Sequence, residues 1–463
     1  MIIDRARMRM AVMFGVVALA AASCQGDNAT PPPSPDTTEA PATTAAPEPT
    51  TTEAVPEGPT GEIVVMVWPD WLHIQELASV YMAEHPGTNI RVEPLTGDDY
   101  FANGPRILAS ADAPDVTSTQ TGFPNTWDPL IEEGLLLDIS DVWEEQDLEN
   151  QYLSAVVDNY TENDGTHRAV QAGLVWWPMM FYNQDLFADL GIAAPENGLV
   201  GSVDEWFAIT DALAAAGVRP VAVPHVELQP LLAVAQSYMT NICGVEWATH
   251  IQAAWRPDAP EVVEKYTDQC VIDALQVIVD WNEHGVFGEA TASLDRNLSE
   301  TLFFTGEAGM WWSGNWEAGT IAAAELPFEV GWIHPPPITN NPFQAELFSH
   351  DGLAIAANTK NPELAKDFLS FVSTSESNIS FWEHGRIPSR KDATPEPATV
   401  DQLTLSMFTS LEDIVGPARP GANVGGALES ILIDGIGGLL VGTTTPADVA
   451  AQLQAEFDEL RQG

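Results

Sequence analysis

Lysine is nearly missing from this chain of 463 residues, which carries only Lys265, Lys360, Lys366 and Lys391. With arginine counted there are 17 basic residues against 67 acidic ones, a net charge of −50. Repulsion on that scale disfavours nucleic acid and anionic membrane surfaces as partners of the folded part. It points instead to a heavily solvated acidic surface, suited to a salt-rich exterior. No HExxH helix, calcium loop, CxxC pair or GxxxxGK[S/T] loop occurs, and the nine histidines are scattered. Neither a bound metal nor another cofactor is therefore expected. Long apolar runs are missing as well. The run from Met10 to Ala22 has thirteen residues, short of the roughly 20 that a membrane-spanning helix requires. No internal repeat is evident.

What the N-terminus does contain is a targeting pattern. Arg5, Arg7 and Arg9 precede the Met10–Ala22 run, and Ala21-Ala22-Ser23 leads to Cys24. A positive start, a short apolar stretch and small residues mark an export signal. The end resembles a bacterial lipoprotein signal, which implies residues 1–23 as the signal peptide and Cys24 as the lipidated first residue of the mature protein. That pattern has leucine three residues before the cysteine, where Ala21 stands here, so secretion with cleavage nearby is the alternative. Residues 24–60 are mostly Thr, Pro, Ala and Glu, with no large apolar side chain except Val55. Such a segment cannot bury enough surface to fold and reads as an extended stalk. Cys243 and Cys270 are the remaining cysteines. In an exported chain they read as one disulfide, with two buried free thiols as the alternative.

Beyond the stalk, strand and helix signals alternate. Glu62–Trp68 is a β-branched run, Trp71–His85 has a helical apolar face stopped by Pro86-Gly87, and Asn89–Leu95 and Asp115–Thr117 are strands. This order predicts a parallel sheet with helices on its faces. Ligands of such sheets sit beyond the carboxyl ends of the strands. Those ends are Trp68-Pro69-Asp70-Trp71 and Ser118-Thr119-Gln120-Thr121-Gly122. Strands are also expected at 168–174, 218–223, 328–333 and 352–357, and helices at 203–215, 231–242, 271–284, 362–373, 427–440 and 446–460. The chain is expected to leave a first lobe near Val175 and to return near Trp332. Lobe 1 then comprises 61–174, continued at about 333–384, and lobe 2 comprises 175–332, continued at about 385–463.

One stretch stands out. Phe303–Trp316 reads FFTGEAGMWWSGNW and sets three tryptophans among glycine turns. Flat aromatic faces beside polar groups suit a sugar ring, which has C–H faces and a hydroxyl rim. Neighbouring strand residues face opposite ways, so one of Trp311 and Trp312 is expected in the core and the other toward a cleft. Trp176 and Trp177 divide in the same way. Trp143, Trp206, Trp247, Trp255, Trp281 and Trp382 lie in helical or turn contexts and are expected to pack.

Several segments together resemble the extracellular solute-binding proteins of carbohydrate ABC importers, the group that includes maltose-binding protein. They are Ala113-Pro114-Asp115-Val116, Phe181–Phe187 with Gly191, Phe304–Met310 leading to Gly314-Asn315-Trp316, Asp351–Ile355, Asn361–Leu369 and Gly385-Arg386-Ile387-Pro388. The resemblance covers nearly all of 62–460. It implies an α/β chain with a two-lobed, type II periplasmic-binding-protein-like fold and several hinge crossings around a central cleft. It further implies a monomer outside the cell membrane, attached only through its lipid, that binds a sugar and passes it to ABC permease subunits. The ligand is expected to touch Trp316 and Asp351 first, then Trp68, Asp70, Trp71, Gln120, Thr121, Trp177, Trp312 and Arg386. Asn315, His350 and Trp127 complete the candidate set. A receptor of the same fold for a polyamine, and a secreted glycoside hydrolase, are the rival readings. No acid–nucleophile pair can be singled out among the carboxylates to support the hydrolase.

Overall fold

The computed structural model describes residues 58–94, 103–104, 106–119, 127–162, 165–177, 179–195, 198–225, 230–254, 261–339, 346–348, 351–396, 400–407 and 426–462. Among them are eleven strands: β1 (Gly61–Val67), β2 (Thr88–Pro94), β3 (Val116–Ser118), β4 (Ala169–Gln171), β5 (Val175–Trp177), β6 (Met179–Asn183), β7 (Arg219–Ala222), β8 (Ala308–Ser313), β9 (Val330–Ile333), β10 (Glu346–Phe348) and β11 (Gly352–Ile355). They form a five-stranded sheet of order β2-β1-β3-β11-β4, a four-stranded sheet of order β7-β8-β6-β9, and the pair β10-β5.

The first sheet is parallel where the sequence pattern predicts it. β1 runs parallel to β2 and β3, but β11 is antiparallel to both β3 and β4. The reversal arises because β11 belongs to a later passage of the chain, entered only after the second sheet is complete. Ile63, Val65 and Val67 of β1 are fully enclosed, as a strand covered on both faces requires. The helix Leu72–Glu84 buries Ile74, Leu77, Ala78 and Tyr81. The helix Pro362–Val372 buries Leu364, Ala365, Phe368, Leu369 and Val372. Both stripes follow helical spacing. The two helices meet where the Tyr81 hydroxyl donates to Asp367.

In the second sheet β8 is flanked by β7 and β6. The helix Val203–Ala215 starts at Ser202, whose hydroxyl accepts from the Glu205 N–H. Gln269–His284 buries Val271, Ala274, Leu275, Ile278 and Trp281. Cys243 and Cys270 form a disulfide with Cα atoms 5.1 Å apart, joining the end of Pro230–Cys243 to the start of Gln269–His284. The last two helices, Gly426–Val441 and Pro446–Leu460, pack on each other and on Gln269–His284. Thr445 and Asp448 close a capping box at the second.

The sheets are joined where chain passages lie side by side. Leu174 pairs antiparallel with Ile387, its N–H donating to the Ile387 carbonyl at 2.6 Å. Gly319, in the helix Glu317–Ala323 beyond β8, lies against the backbone of His384 and Gly385. A Cβ at 319 would stand 2.6 Å from the His384 carbonyl oxygen. Only glycine permits that approach, and it seats the turn after β8 against the passage that carries Arg386.

Candidate functional site

Four backbone pieces converge at this junction: the turn after β1, the start of β11, the passage through Arg386, and the turn after β8. The first places Asp70 outward and Trp71 inward. The Trp71 N–H donates to the Trp68 carbonyl at 3.1 Å, closing a turn that folds the Trp71 ring into the core, 2% exposed and 5.7 Å from the His73 ring. Trp71 is thus a packing residue, contrary to the sequence expectation. Trp68 is half-buried against the same core.

Arg386 joins two carboxylates of the first sheet. Its Nη2 donates to Asp70 Oδ2 at 2.8 Å and its Nη1 to Asp351 Oδ2 at 3.4 Å. Arg386 and Asp351 are buried, whereas the Asp70 side chain is 35% exposed. Such a row is stable because each buried charge has an opposite neighbour. Behind it, His73 Nε2 lies 2.8 Å from the Ala172 carbonyl. Burial first, then the Arg386 charge, hold His73 well below its ordinary pKa, so the donor in that contact is a neutral ring.

The second-sheet side carries Trp316, Glu317 and Arg296. Glu317 Oε1 accepts from the Trp316 indole N–H at 2.9 Å, from Ser313 Oγ at 3.1 Å and from Arg296 Nη2 at 2.9 Å. Glu317 is fully buried. Arg296 keeps part of its surface, with a side chain 27% exposed. Burial opposes the Arg296 charge, but the carboxylates of Glu317, Asp70 and Glu300 outweigh it and raise its pKa. Asp70, from the turn after β1, is thus one of the carboxylates that act on Arg296, at the start of the helix Arg296–Phe304. Burial first, then the Glu317 charge, push the Glu300 carboxyl upward.

The stretch Phe303–Trp316 divides sharply. Arg296–Phe304 is a helix, ended before the Gly306 turn, and β8 follows. Trp311 and Trp312 are both fully enclosed. The expectation that Trp312 faces the cleft is therefore corrected. Alternation does split the pair, but β8 is a central strand with both faces covered. Trp311 meets Phe303 at 6.0 Å and Phe304 at 5.7 Å, and Trp312 meets Trp281 at 5.9 Å and Phe287 at 6.5 Å. Asn315 is buried and donates through Nδ2 to the Leu174 carbonyl at 2.9 Å, tying the turn to the first crossing. Trp316 alone of the three tryptophans keeps exposed surface.

The structure thus brings together Trp68, Asp70, Asp351, Arg386, Asn315 and Trp316. Gln120, Thr121, His350 and Cys24 lie outside the described residues, as do the side chains of Trp127 and Trp177. Sequence reasoning missed Arg296 and Glu317. A signal existed for both: arginine is scarce in this acidic chain, and Glu317 directly follows Trp316. Among the described residues no group of three or more His, Cys, Asp or Glu is placed to hold a metal ion, and no helix is long and apolar enough to cross a membrane.

Two α/β lobes joined by several crossings, with polar and aromatic groups gathered at the junction, define a type II solute-binding protein. Comparison specifies the class further: the profile of the bacterial extracellular solute-binding proteins matches residues 73–379, and the chain belongs to that family. An uncharacterised ABC transporter extracellular-binding protein of Pyrococcus horikoshii is 23% identical over 387 residues, covering 81% of this chain and 80% of the relative. A chitin oligosaccharide binding protein superposes with a TM-score of 0.72 at 20% identity, covering 87% of this chain and 100% of its own. The maltose/maltodextrin-binding domain of Bdellovibrio bacteriovorus, bound to maltotriose, gives 0.67 at 15% identity, with 86% and 99% covered. Fold and family profile agree that the protein is an extracellular solute-binding protein.

Proposed function

We propose that this protein is a lipid-anchored receptor on the outer face of the cytoplasmic membrane. It binds a sugar, an oligosaccharide, between its lobes and delivers it to an ABC import permease without altering it. Cys24 carries the lipid, residues 24–60 form the stalk, and the lobes divide at about 174, 333 and 385. The observation that carries the sugar reading is Trp316, half-buried beside charged groups from both lobes. Stacking on the ring selects a C–H face, while Asp70 and Arg296 supply an acceptor and a donor for hydroxyls. Trp68, Asp351 and Arg386 complete that wall. Gln120, Thr121, Trp127, Trp177 and His350 are assigned to the remainder of the cleft. A wrong sugar leaves buried polar groups unpaired, at a cost of roughly 1–3 kcal/mol each. The ligand touches both lobes only when they close, so binding shifts the population toward the closed form.

The structurally similar chitin oligosaccharide binding protein and the maltodextrin-binding domain bound to maltotriose support this reading. The test is calorimetry and thermal shift with mono-, di- and trisaccharides, including maltotriose and triacetylchitotriose, with spermidine as the cation control. Binding of at least one sugar with no effect of spermidine is expected. Stabilisation by spermidine alone overturns the sugar assignment, and release of reducing ends overturns the binding-only role. Cys24→Ala is expected to move the protein from the membrane fraction to the medium.

A further inference from the structure

We infer that Glu317 is a positioning residue of the cleft, acting on the ligand through the Trp316 ring that it holds. This rests on the sugar reading above and adds a residue and a mode of action to it. Three observations support the assignment. First, the Trp316 ring is gripped at two points. Its indole N–H bonds Glu317 Oε1 at 2.9 Å. Its far edge lies over Gly314, where a Cβ would stand 1.9 Å from Cζ3. A flat side chain fixed in this way loses little freedom when a ligand stacks on it, which favours binding.

Second, the bonding of Glu317 is concentrated on one oxygen. Oε1 takes the donors of Trp316, Ser313 and Arg296, while Oε2 is buried with no partner among the described residues. A carboxylate enclosed at such cost and aimed through one oxygen at the ring nitrogen and at Arg296 serves those groups. An acid placed only to hold its own helix would bond that helix's backbone. Third, Arg296 presents a partly exposed guanidinium next to the ring, its side chain 27% exposed and bonded at 2.9 Å to the same Glu317 oxygen. Glu317 thus sets both the plane of the aromatic wall and the guanidinium beside it, with no surface of its own.

The test uses the full chain labelled with 5-fluorotryptophan, the Trp316 fluorine resonance being identified by its loss in Trp316→Phe. Glu317→Gln is expected to move the Trp316 resonance and leave those of Trp311 and Trp312 in place. It is also expected to weaken binding of maltotriose or triacetylchitotriose, whichever the native protein binds, by about tenfold, yet by less than about twofold in a Trp316→Ala background. An unmoved Trp316 resonance overturns the inference, as does an equal loss in both backgrounds, which would make Glu317 a general structural group. If Glu317→Gln alone unfolds because Arg296 loses its counter-charge, Glu317→Gln is instead added to an Arg296→Gln chain and read by the same criteria against that Arg296→Gln parent, which carries the direct loss of Arg296 in both backgrounds. Failure of the native protein to bind any sugar sinks the functional reading. Sugar binding that is indifferent to Glu317→Gln sinks this inference alone.

Discussion

Trp312 and Trp316 stand four residues apart on one strand and the turn that follows it, yet one is fully enclosed and the other only partly buried. Trp312 sits on β8 between two strands and under the helix Gln269–His284, with Trp281 and Phe287 against its ring. Trp316 sits past the end of the sheet, where Gly314 lets the ring fold back over the turn and Glu317 bonds its nitrogen. The difference lies in what surrounds each ring. An aromatic held by apolar neighbours on every side supports the lobe. One held at its edge and its nitrogen keeps a face for a partner.

That contrast predicts opposite failures. Trp312→Ala removes a large side chain from a closed site, and the cavity term adds to the lost burial. A loss of about 3–5 kcal/mol of unfolding free energy is expected by denaturant titration. Trp316→Ala is expected to leave the unfolding midpoint nearly unchanged and to lower sugar affinity by about 30-fold, equivalent to about 2 kcal/mol, measured by calorimetry. If Trp316→Ala unfolds the protein as Trp312→Ala does, the two rings do the same work and the comparison collapses. Gly314→Ala sharpens it further. The new Cβ would occupy the place of the ring edge, so the ring must swing away. Sugar affinity is expected to fall by about tenfold with the fold retained, less than for the ring's complete removal. Unchanged affinity in that variant would mean that the orientation of the ring is unimportant.

Much of the fold was legible in local pattern. Strands β1 and β2 and the helices Leu72–Glu84 and Pro362–Val372 follow apolar periodicity that needs no distant information, and other helices carry local terminus signals, Ser202 and Thr445 as N-caps and Gly191 and Gly285 as C-caps. The candidate site was legible only in part, because its assignments turn on layers. Alternation separates Trp311 from Trp312 but says nothing of whether each face is covered, and only the central place of β8 decides that. Trp71 failed for a related reason: it and Asp70 are consecutive residues of one turn, and which of the two faces outward depends on the bond from the Trp71 N–H to the Trp68 carbonyl that closes it. Arg296 and Glu317 were missed because they bond each other across 21 residues that no motif marks, and adjacency to Trp316 does not by itself reveal that Glu317 bonds the ring nitrogen.

His73 is a third kind of residue and carries the smallest expected effect. It is enclosed like Trp312, yet it lies behind the site that Trp316 faces, with Ala172, Arg386, His384 and the Phe381 ring around it. Burial and the Arg386 charge lower its folded pKa below the ordinary value of 6.5, so the unfolded chain takes up a proton more readily than the native one. Its contribution to stability is therefore complete above about pH 6.5 and declines as pH falls, with a slope of up to about 1.4 kcal/mol per unit, until the lowered folded value is reached. His73→Gln retains a donor for the Ala172 carbonyl and removes the titration. Thermal unfolding followed from pH 7.5 to 5 is expected to show a shallower decline in the variant than in the native protein. Parallel curves would mean that His73 takes up its proton without disturbing the Arg386 junction, and would separate the packing behind the cleft from the charges that line it.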